Sequence, residues 1–188
     1  MLVLISGVSA AGKNTVMSKL MEKHKDWGSC PSYTTKIKEF RIIDNDNNKY
    51  YYISREEFER KIRDGEMIEY AIVHNNNYYG TGKKELYEAM EKYSVVIKDL
   101  DVIGTKIIRD LGIDMICIFI NVSSDEELHK RLIIRGATEE DIKIRLSRAK
   151  MEREAMGFYD YIVDNIVLED CVNEVEQIIC NEIIKRKK

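Results

Sequence analysis

Apolar residues in this chain are concentrated in short, unbroken runs that are separated by longer amphipathic stretches. A continuous apolar run with polar ends is typical of a parallel strand that is covered on both faces. Four runs fit this description: "MLVLIS" (1–6), "YSVVIKDLD" (93–101), "DMICIFINV" (114–122) and "YDYIVDN" (159–165). Helical patterns lie between them, as in residues 14–24, where Val16 and Leu20 recur at helical spacing. Strands that alternate with helices predict an α/β fold with a parallel sheet core flanked by helices.

Two segments interrupt this alternation. Residues 32–81 are rich in tyrosine and alternate around a helical pattern at 55–65, which predicts a small mixed sheet inserted into the core. Residues 123–158 are helical and dense in arginine. At 188 residues we expect a single domain. Its core is then formed by residues 1–31, 82–122 and 159–188.

Composition narrows the class of protein. Hydrophobic residues make up 44% of the chain and charged residues 34%, which is typical of a globular protein. The formal net charge of −3 gives no reason to expect binding to nucleic acid, and no apolar run is long enough to span a membrane. The cysteines show no metal-ligand spacing, so we expect reduced, mostly buried thiols in a cytoplasmic protein. They are Cys30, Cys117, Cys171 and Cys180.

The stretch "GVSAAGKNT" (7–15) matches a phosphate-binding loop except at one position. Such a loop has Gly, four residues, Gly, Lys and then Ser or Thr. Gly7, Gly12 and Lys13 are in place, but Asn14 stands where the hydroxyl belongs, and Thr15 follows it. Backbone N–H groups and a helix N-terminus would surround a phosphate here, with Lys13 reaching the transferred phosphoryl group. The alternative is a glycine turn without phosphate; the order of strand, loop and amphipathic helix favours the nucleotide site.

The arginine-rich segment has a spacing that suits phosphate binding. Arg131 and Arg135 are four residues apart, and Arg145 and Arg148 are three apart, so each pair shares a helix face. Phosphoryl transfer requires neutralisation of spreading negative charge, which such arginines supply. The alternative is a solvated helical face with Glu–Arg pairs. Next to a phosphate loop, the interpretation as a lid is favoured.

Two aspartates follow the second apolar run. Asp99 and Asp101 lie where the carboxyl end of a parallel strand is expected, which is where ligands of α/β folds bind. Asp99 is a candidate for holding magnesium through water. Asp101 precedes the helical pattern "VIGTKIIRDL" (102–111), which makes it a candidate helix N-cap. For Asp101 the capping and ligand roles are compatible.

Short motifs in a fixed order cover nearly the whole chain. They are "ISGVSAAGKNT" (5–15), "SYTT" (32–35), "YYYISREEFE" (50–59), "GEMIEYA" (65–71), "NNYYGTG" (76–82), "DLDVIGT" (99–105), "RLIIRGA" (131–137), "IRLSRAKMERE" (144–154) and "YDYIVDN" (159–165). Together they resemble the guanylate kinase family. The resemblance implies a P-loop NTPase-type core, a GMP-binding region at 32–81 and a lid at 123–158. It also implies Mg²⁺-dependent transfer of the ATP γ-phosphoryl group to GMP, giving GDP and ADP, by a monomer or homodimer.

The resemblance assigns roles to individual residues. Those for ATP are Gly7, Val8, Ser9, Ala10, Ala11, Gly12, Lys13, Asn14, Thr15 and, near the adenine, Asn165. Those for catalysis are Lys13 and the lid arginines Arg131, Arg135 and Arg145. Those for GMP are Ser32, Tyr50, Glu69, Tyr79, Thr81 and Asp101, with Lys36 in the place of a family arginine; Arg41 joins them as a candidate substitute where the sequence departs from the family. For the metal ion, the residues themselves and not the resemblance give the candidates, which are Thr15 and Asp99.

The physical chemistry of guanine agrees with these assignments. Guanine offers N1–H and N2–H donors that a carboxylate accepts, and its O6 accepts from a hydroxyl. Adenine or hypoxanthine would leave Glu69 mismatched, at a cost of roughly 1–3 kcal/mol for an unpaired buried polar group. For the tyrosines, the alternative is packing within a small sheet, which is the expectation for most of residues 50–52.

The stretch "KIKEFRIID" (36–44) departs from the family, which has two arginines here that bind the GMP phosphate. Lys36 takes the place of the first and Glu39 that of the second. A lysine supplies charge but lacks the two-pronged fork of arginine. Lys38 and Arg41 are the candidate substitutes. Asn14 also departs from the loop pattern, but Mg²⁺ keeps several waters, so we expect a working loop.

Two other functions remain as alternatives. One is a kinase of another phosphorylated small molecule, against which Glu69, Thr81 and Asp101 argue. The other is a non-catalytic binding module of the same fold, as in scaffolding proteins. That class tends to lose the phosphate loop, whereas Gly12 and Lys13 are present here.

Overall fold

The computed structural model describes residues 1–36, 50–73 and 76–187. The elements, in chain order, are β1 (Leu2–Gly7), α1 (Lys13–Lys23), β2 (Trp27–Ser29), β3 (Ser32–Thr34), β4 (Tyr50–Tyr52), α2 (Arg55–Arg63), β5 (Met67–Val73), β6 (Asn77–Gly82), α3 (Lys83–Lys92), β7 (Val95–Asp99), α4 (Val102–Asp110), β8 (Met115–Asn121), α5 (Asp125–Ile134), α6 (Glu139–Glu154), β9 (Tyr161–Asp164) and α7 (Leu168–Arg186). A short 3₁₀ turn at Met156–Phe158 joins α6 to β9.

The core is a five-stranded parallel sheet with the strand order β2-β7-β1-β8-β9. The four predicted strands are confirmed; β7, β8 and β9 lie within their apolar runs, and β1 extends one residue beyond its run, to Gly7. In β1, β7 and β8 the side chains are buried on both faces, as the continuous apolar runs indicate; in β1, for example, Leu2 to Ile5 are fully buried. The expectation is wrong for β9, which lies at the edge of the sheet: Ile162 is 47% exposed, and Val163 alone of its four residues is buried. Strand β2 was not predicted, because its three residues are too few to show a pattern.

The inserted segment forms a second, four-stranded sheet with the order β4-β3-β6-β5. Strands β3 and β4 are parallel, whereas β6 is antiparallel to both β3 and β5, so the predicted mixed sheet is confirmed. Helix α2 covers this sheet through Phe58, which is fully buried against Tyr33 and Met67. Ser54 caps the helix by accepting a hydrogen bond from the N–H of Glu57.

The helices begin at side-chain caps that the sequence places there. Asp101 accepts from the N–H of Gly104 at 2.8 Å and starts α4, which confirms the predicted N-cap. Ser124 and Thr138 cap α5 and α6 in the same way. None of the helices in the described part of the chain is long and apolar enough to cross a membrane.

The cysteines lie in the core as reduced thiols. Cys30, Cys117 and Cys171 are buried and Cys180 is half-buried. Burial raises the pKa of all four thiols, for Cys171 to about 11. Since the thiolate is the reactive form, these residues are suited to packing.

Candidate active site

The glycine loop between β1 and α1 is shaped by close backbone contacts. Gly7 has φ +148°, and a Cβ atom on it would lie 2.0 Å from the carbonyl oxygen of Ile120 on β8. Gly12 has φ +88° and precedes α1, whose first turn carries no acidic residue. The first N–H groups of α1 therefore face the loop without a competing carboxylate, which favours an anion.

Lys13 lies over this loop. Its Nζ atom donates to the carbonyl oxygens of Gly7 at 2.7 Å and Val8 at 3.3 Å. Asn14 and Thr15 are exposed on the first turn of α1. The ammonium group of Lys13 and the N–H groups of the loop thus lie together at the carboxyl end of β1.

Asn165 holds the loop through a side-chain hydrogen bond. The side chain is 4% exposed, and Nδ2 donates to the carbonyl oxygen of Ala11 at 2.7 Å. Its main-chain oxygen accepts from Nη2 of Arg131, also at 2.7 Å, and Arg131 pairs with Glu127 at 2.9 Å. The structure therefore connects the predicted ATP residue Asn165 to the loop through its side chain and to α5 through its backbone.

A cleft of about 220 Å³ separates the two sheets at the carboxyl ends of the core strands. It is lined by Gly7, Lys13, Ser32, Tyr50, Glu69, Ala71, Tyr79, Gly80, Asp99, Leu100, Asp101, Arg148 and Glu152. Residues that the sequence assigns to ATP, to the metal ion and to GMP therefore share one cavity. Elements far apart in the chain supply them: the loop, the inserted sheet, the end of β7 and helix α6.

Glu69 lines this cleft from β5 of the inserted sheet. The side chain is 6% exposed and accepts a short hydrogen bond from Oγ1 of Thr81, which is fully buried. A Cβ on Gly104 would lie 3.1 Å from Glu69 Oε2 and 3.4 Å from Asp101 Oδ1, so both carboxyl groups border the same point at the start of α4. Burial raises the pKa of Glu69, and the charge of Asp101 adds to the rise.

The predicted ligands of the GMP phosphate are brought together only in part. Tyr50 and Tyr79 come from separate strands and meet edge to face, with ring centroids 5.9 Å apart. Both line the cleft, whereas Tyr51 is 45% exposed. Lys36 is half-buried, and its backbone N–H donates to Thr34 Oγ1. Lys38, Glu39 and Arg41 lie outside the described residues.

Helix α6 brings charged side chains to the loop. Nη1 of Arg145 donates to Oγ of Ser9 at 2.7 Å. Arg135, at the C-terminal end of α5, is exposed. Of the arginine-rich segment, Arg145 and Arg131 thus contact the loop and its support, and Arg148 lines the cleft.

The sequence analysis assigns no role at this site to Lys98 or Glu152, and it includes Arg148 only in an arginine pair of the lid. Glu152 lies seven residues after Arg145 and four after Arg148, on the same face of α6, and this spacing is the signal that could have found it. Its Oε2 atom is buried without a hydrogen-bond partner among the described residues. Burial raises the pKa of Glu152, against the charges of Lys13 and Arg148.

The cleft fits a metal ion that arrives with a nucleotide. Asp99 lines it together with Lys13. Among residues 1–36, 50–73 and 76–187, no group of three or more histidine, cysteine or acidic side chains is placed to hold a metal ion. Mg²⁺ in kinases is held by one or two carboxylates with phosphates and water, so this donor set suits a nucleotide-borne ion.

Comparison with known proteins agrees with the geometry. A family model described as "Guanylate kinase" matches residues 1–182. The chain is 37% identical over 183 residues to the guanylate kinase of Clostridium tetani, covering 97% of this chain and 86% of that protein. It is 35% identical over 188 residues to the guanylate kinase of Oceanobacillus iheyensis, covering 100% of this chain and 90% of that protein.

The likeness extends to solved structures. The crystal structure of guanylate kinase from Anaplasma phagocytophilum matches with a TM-score of 0.74 at 28% identity, covering 97% of this chain and 85% of that chain. The match includes both the parallel core and the mixed sheet. By sequence and by structure, this chain belongs to the guanylate kinase family.

Proposed function

We propose that this protein transfers the γ-phosphoryl group of ATP to GMP, giving GDP and ADP. The observation that carries the proposal is the single cleft lined by both Lys13 of the loop and Glu69 of the inserted sheet. A phosphoryl donor on the loop and an acceptor base at Glu69 would therefore be held within one cavity. Transfer of this kind depends on positioning and on neutralising charge, and the GMP phosphate is already an anionic nucleophile.

The ATP side of the site consists of the loop and the lid. The N–H groups of residues 7–15 and the N-terminus of α1 bind the phosphates, and Lys13 leaves its carbonyl partners to bind the transferred group. Arg131, Arg135 and Arg145 neutralise the charge that spreads over the phosphoryl oxygens. Asn165 contributes by fixing the backbone of the loop at Ala11.

The GMP side reads the base and holds the phosphate. Glu69 and Asp101 accept the N–H donors of guanine, while Ser32 and Thr81 complete the polar surface around the base. The phosphate is bound by Tyr50 and Tyr79, with Lys36 and Arg41 supplying positive charge.

The metal ion in this proposal is Mg²⁺, with Asp99 and Thr15 as its protein-side partners through water. When bound, it would neutralise charge on the phosphate oxygens. We assign residues 32–81 as the acceptor region and 123–158 as a lid, which close over the core and exclude water so that ATP is not hydrolysed. We further propose a cytoplasmic enzyme that works as a monomer or homodimer.

A coupled assay of ADP release tests the proposal, with ATP, Mg²⁺ and one of GMP, dGMP, AMP, IMP or UMP as acceptor. We expect turnover with GMP and dGMP and far less with the other three. Lys13→Met should lower kcat with GMP by on the order of 10³-fold, because the positive charge at the transferred group is lost.

The matched control is Lys19→Met on the same helix. Lys19 forms a surface pair with Glu169 at 3.4 Å, and such pairs contribute little to stability, so activity should be retained. Turnover of AMP in preference to GMP would contradict the proposed acceptor. Binding of ATP without turnover of any acceptor would contradict the proposed reaction.

A further inference from the structure

Lys98 is a charged residue in the interior of the parallel sheet. It lies on β7, between β2 and β1, and is 2% exposed. Among the buried polar side chains of the described residues, it is the one basic side chain. Burying an ammonium group is costly unless it is hydrogen bonded and near an opposite charge, so its partners identify its role.

The ammonium group of Lys98 contacts a residue that lines the cleft. Nζ donates to Oγ of Ser32 at 2.8 Å and to the carbonyl oxygen of Cys30 at 3.1 Å. An ammonium group only donates, so Ser32 must accept in this hydrogen bond. The hydroxyl proton of Ser32 is then directed to another acceptor, and Ser32 itself lines the cleft.

The charge of Lys98 also acts on Glu69. Two charged groups from other elements bear on this carboxyl group: Lys98 on β7 lowers its pKa, and Asp101 at the start of α4 raises it. Burial raises the pKa of the Cys30 thiol; the charge of Lys98 opposes this rise, and the charges of Glu85 and Glu69 add to it. Because burial raises the pKa of Glu69, Lys98 is the cation that opposes its protonation.

We propose that Lys98 is a positioning residue that sets base specificity, because it orients Ser32 as a hydrogen-bond donor and holds Glu69 as a carboxylate acceptor. The pair then fits a base that presents a carbonyl acceptor beside N–H donors, which is the edge of a 6-oxopurine. A 6-aminopurine would present a donor to the donor Ser32. This inference rests on the proposed GMP acceptor and deepens it.

Isothermal titration calorimetry with GMP and with ATP tests this on the full chain over a range of pH. Lys98→Met keeps an unbranched side chain, one atom shorter, and removes both the charge and the donor. We expect GMP affinity at neutral pH to fall about tenfold or more, while ATP affinity stays within about twofold of wild type. The pH at which GMP affinity is half lost should move upward, since Glu69 protonates more readily without Lys98.

Proton release separates this role from a structural one. In Lys98→Met, a larger share of Glu69 is protonated before binding, so GMP should release more protons than in wild type when buffers of different ionisation enthalpy are compared. In the double variant Lys98→Met, Glu69→Gln this difference should disappear. Equal losses of GMP and ATP affinity, or an unchanged pH profile in a folded Lys98→Met protein, would overturn the proposal.

Lys98→Gln and Ser32→Ala keep the test decisive if Lys98→Met folds poorly. The amide of Lys98→Gln is an uncharged donor that can replace the ammonium group at Ser32, so GMP affinity should approach that of wild type at alkaline pH. The pH at which GMP affinity is half lost should still be higher than in wild type, as in Lys98→Met. Ser32→Ala should weaken GMP binding without moving the pH profile. The exposed control is Lys84→Met. Wild-type binding of GMP tests the proposed function by itself, so its failure is distinguishable from failure of the variants.

Discussion

Arg145 on α6 donates from Nη1 to Oγ of Ser9 at 2.7 Å, so the arginine-rich segment already touches the phosphate loop. We expect Arg145→Ala to lower kcat by on the order of 10³-fold, because an arginine that stabilises charge in phosphoryl transfer contributes this much. The KM for GMP should change little. Steady-state kinetics with ATP and GMP measure both.

Arg145→Lys and Lys150→Ala complete that experiment. Arg145→Lys keeps the charge but loses the fork, so its kcat should lie between those of Arg145→Ala and wild type. Lys150 is exposed on the same helix, and Lys150→Ala should behave as wild type. If Arg145→Ala retained kcat within about twofold, the role of Arg145 in the lid would be wrong.

Because Glu69 is the proposed hydrogen-bond acceptor for the guanine base, its titration should make GMP binding depend on pH. Its pKa is raised, so as pH falls the carboxyl group protonates earlier than an exposed glutamate and no longer accepts from the base. We expect the KM for GMP to rise as pH falls through this pKa, while the KM for ATP changes less. Kinetics at a series of pH values with each substrate in turn measure the two effects.

Glu69→Gln is the matching variant. In Glu69→Gln, the binding free energy of GMP should weaken by roughly 1–3 kcal/mol at every pH, which raises the KM for GMP. This KM should no longer rise at acid pH, because the amide does not titrate in this range. Glu91→Gln, on the exposed side of α3, serves as control. A Glu69→Gln protein with the wild-type pH profile would assign the titration to another group.

The support that Asn165 gives to the loop should be visible in stability. Asn165→Ala removes the side-chain amide that donates to the Ala11 carbonyl oxygen, so this buried oxygen loses that hydrogen bond. We expect the free energy of unfolding to fall by roughly 1–3 kcal/mol. Urea denaturation measures this, with Asn181→Ala on the exposed side of α7 as reference. A loss no larger than the reference would show that the loop holds its shape alone.

Glu182 on α7 should contribute stability that depends on pH. Hydrogen bonds from Lys185, Arg186 and Tyr161 lower its pKa to about 2. Because the folded pKa lies below the unfolded value of 4.5, the contribution is complete above that value and is lost as pH falls towards 2. Glu182→Gln should therefore lower the free energy of unfolding by about 1 kcal/mol at neutral pH. This is less than the pKa shift alone implies, because Lys185 is exposed and solvent screens its charge.

The acid end of the range provides the check on Glu182. The difference between wild type and Glu182→Gln should shrink steadily as the pH of denaturation is lowered below 4.5. Glu174→Gln, exposed on the same helix, should show no such trend. A difference that is constant with pH would mean that packing, and not charge, accounts for the loss.

Much of the fold could be predicted because its signals are local. Strand β1, the glycine loop and α1 follow each other directly, and the apolar runs of β1, β7 and β8 are long enough to show that both faces of these strands are covered. The run of β9 does not reveal that this strand lies at the sheet edge, because an edge position depends on which strands pair. The N-cap Asp101 was also predictable, since a cap depends on the next few residues. The mixed sheet of the insert was predictable too, because the alternation of tyrosine and polar residues is visible within each short stretch.

The rest of the site depends on contacts between distant parts of the chain. Lys98 lies within the run "VVIKD", and nothing in that run shows that Ser32 and Glu69 face its ammonium group. Glu152 stands among many charged residues on α6, so its burial follows only from the position of the helix over the loop. Strand β2 is defined by pairing with β7, more than sixty residues away along the chain.

The contact between Gly7 and Ile120 bears on how related sequences are interpreted. A side chain at position 7 would meet the backbone of β8 at 2.0 Å, whether or not the loop binds a phosphate. A member of the family that has lost catalysis would therefore still be under selection to keep this glycine, because the core sheet requires it. Lys13 bears no such packing constraint, since in the described residues its ammonium group donates to the loop carbonyl oxygens of Gly7 and Val8. In surveys of diverged relatives, the lysine is thus the diagnostic position for phosphoryl transfer, and the glycine reports only that the fold persists.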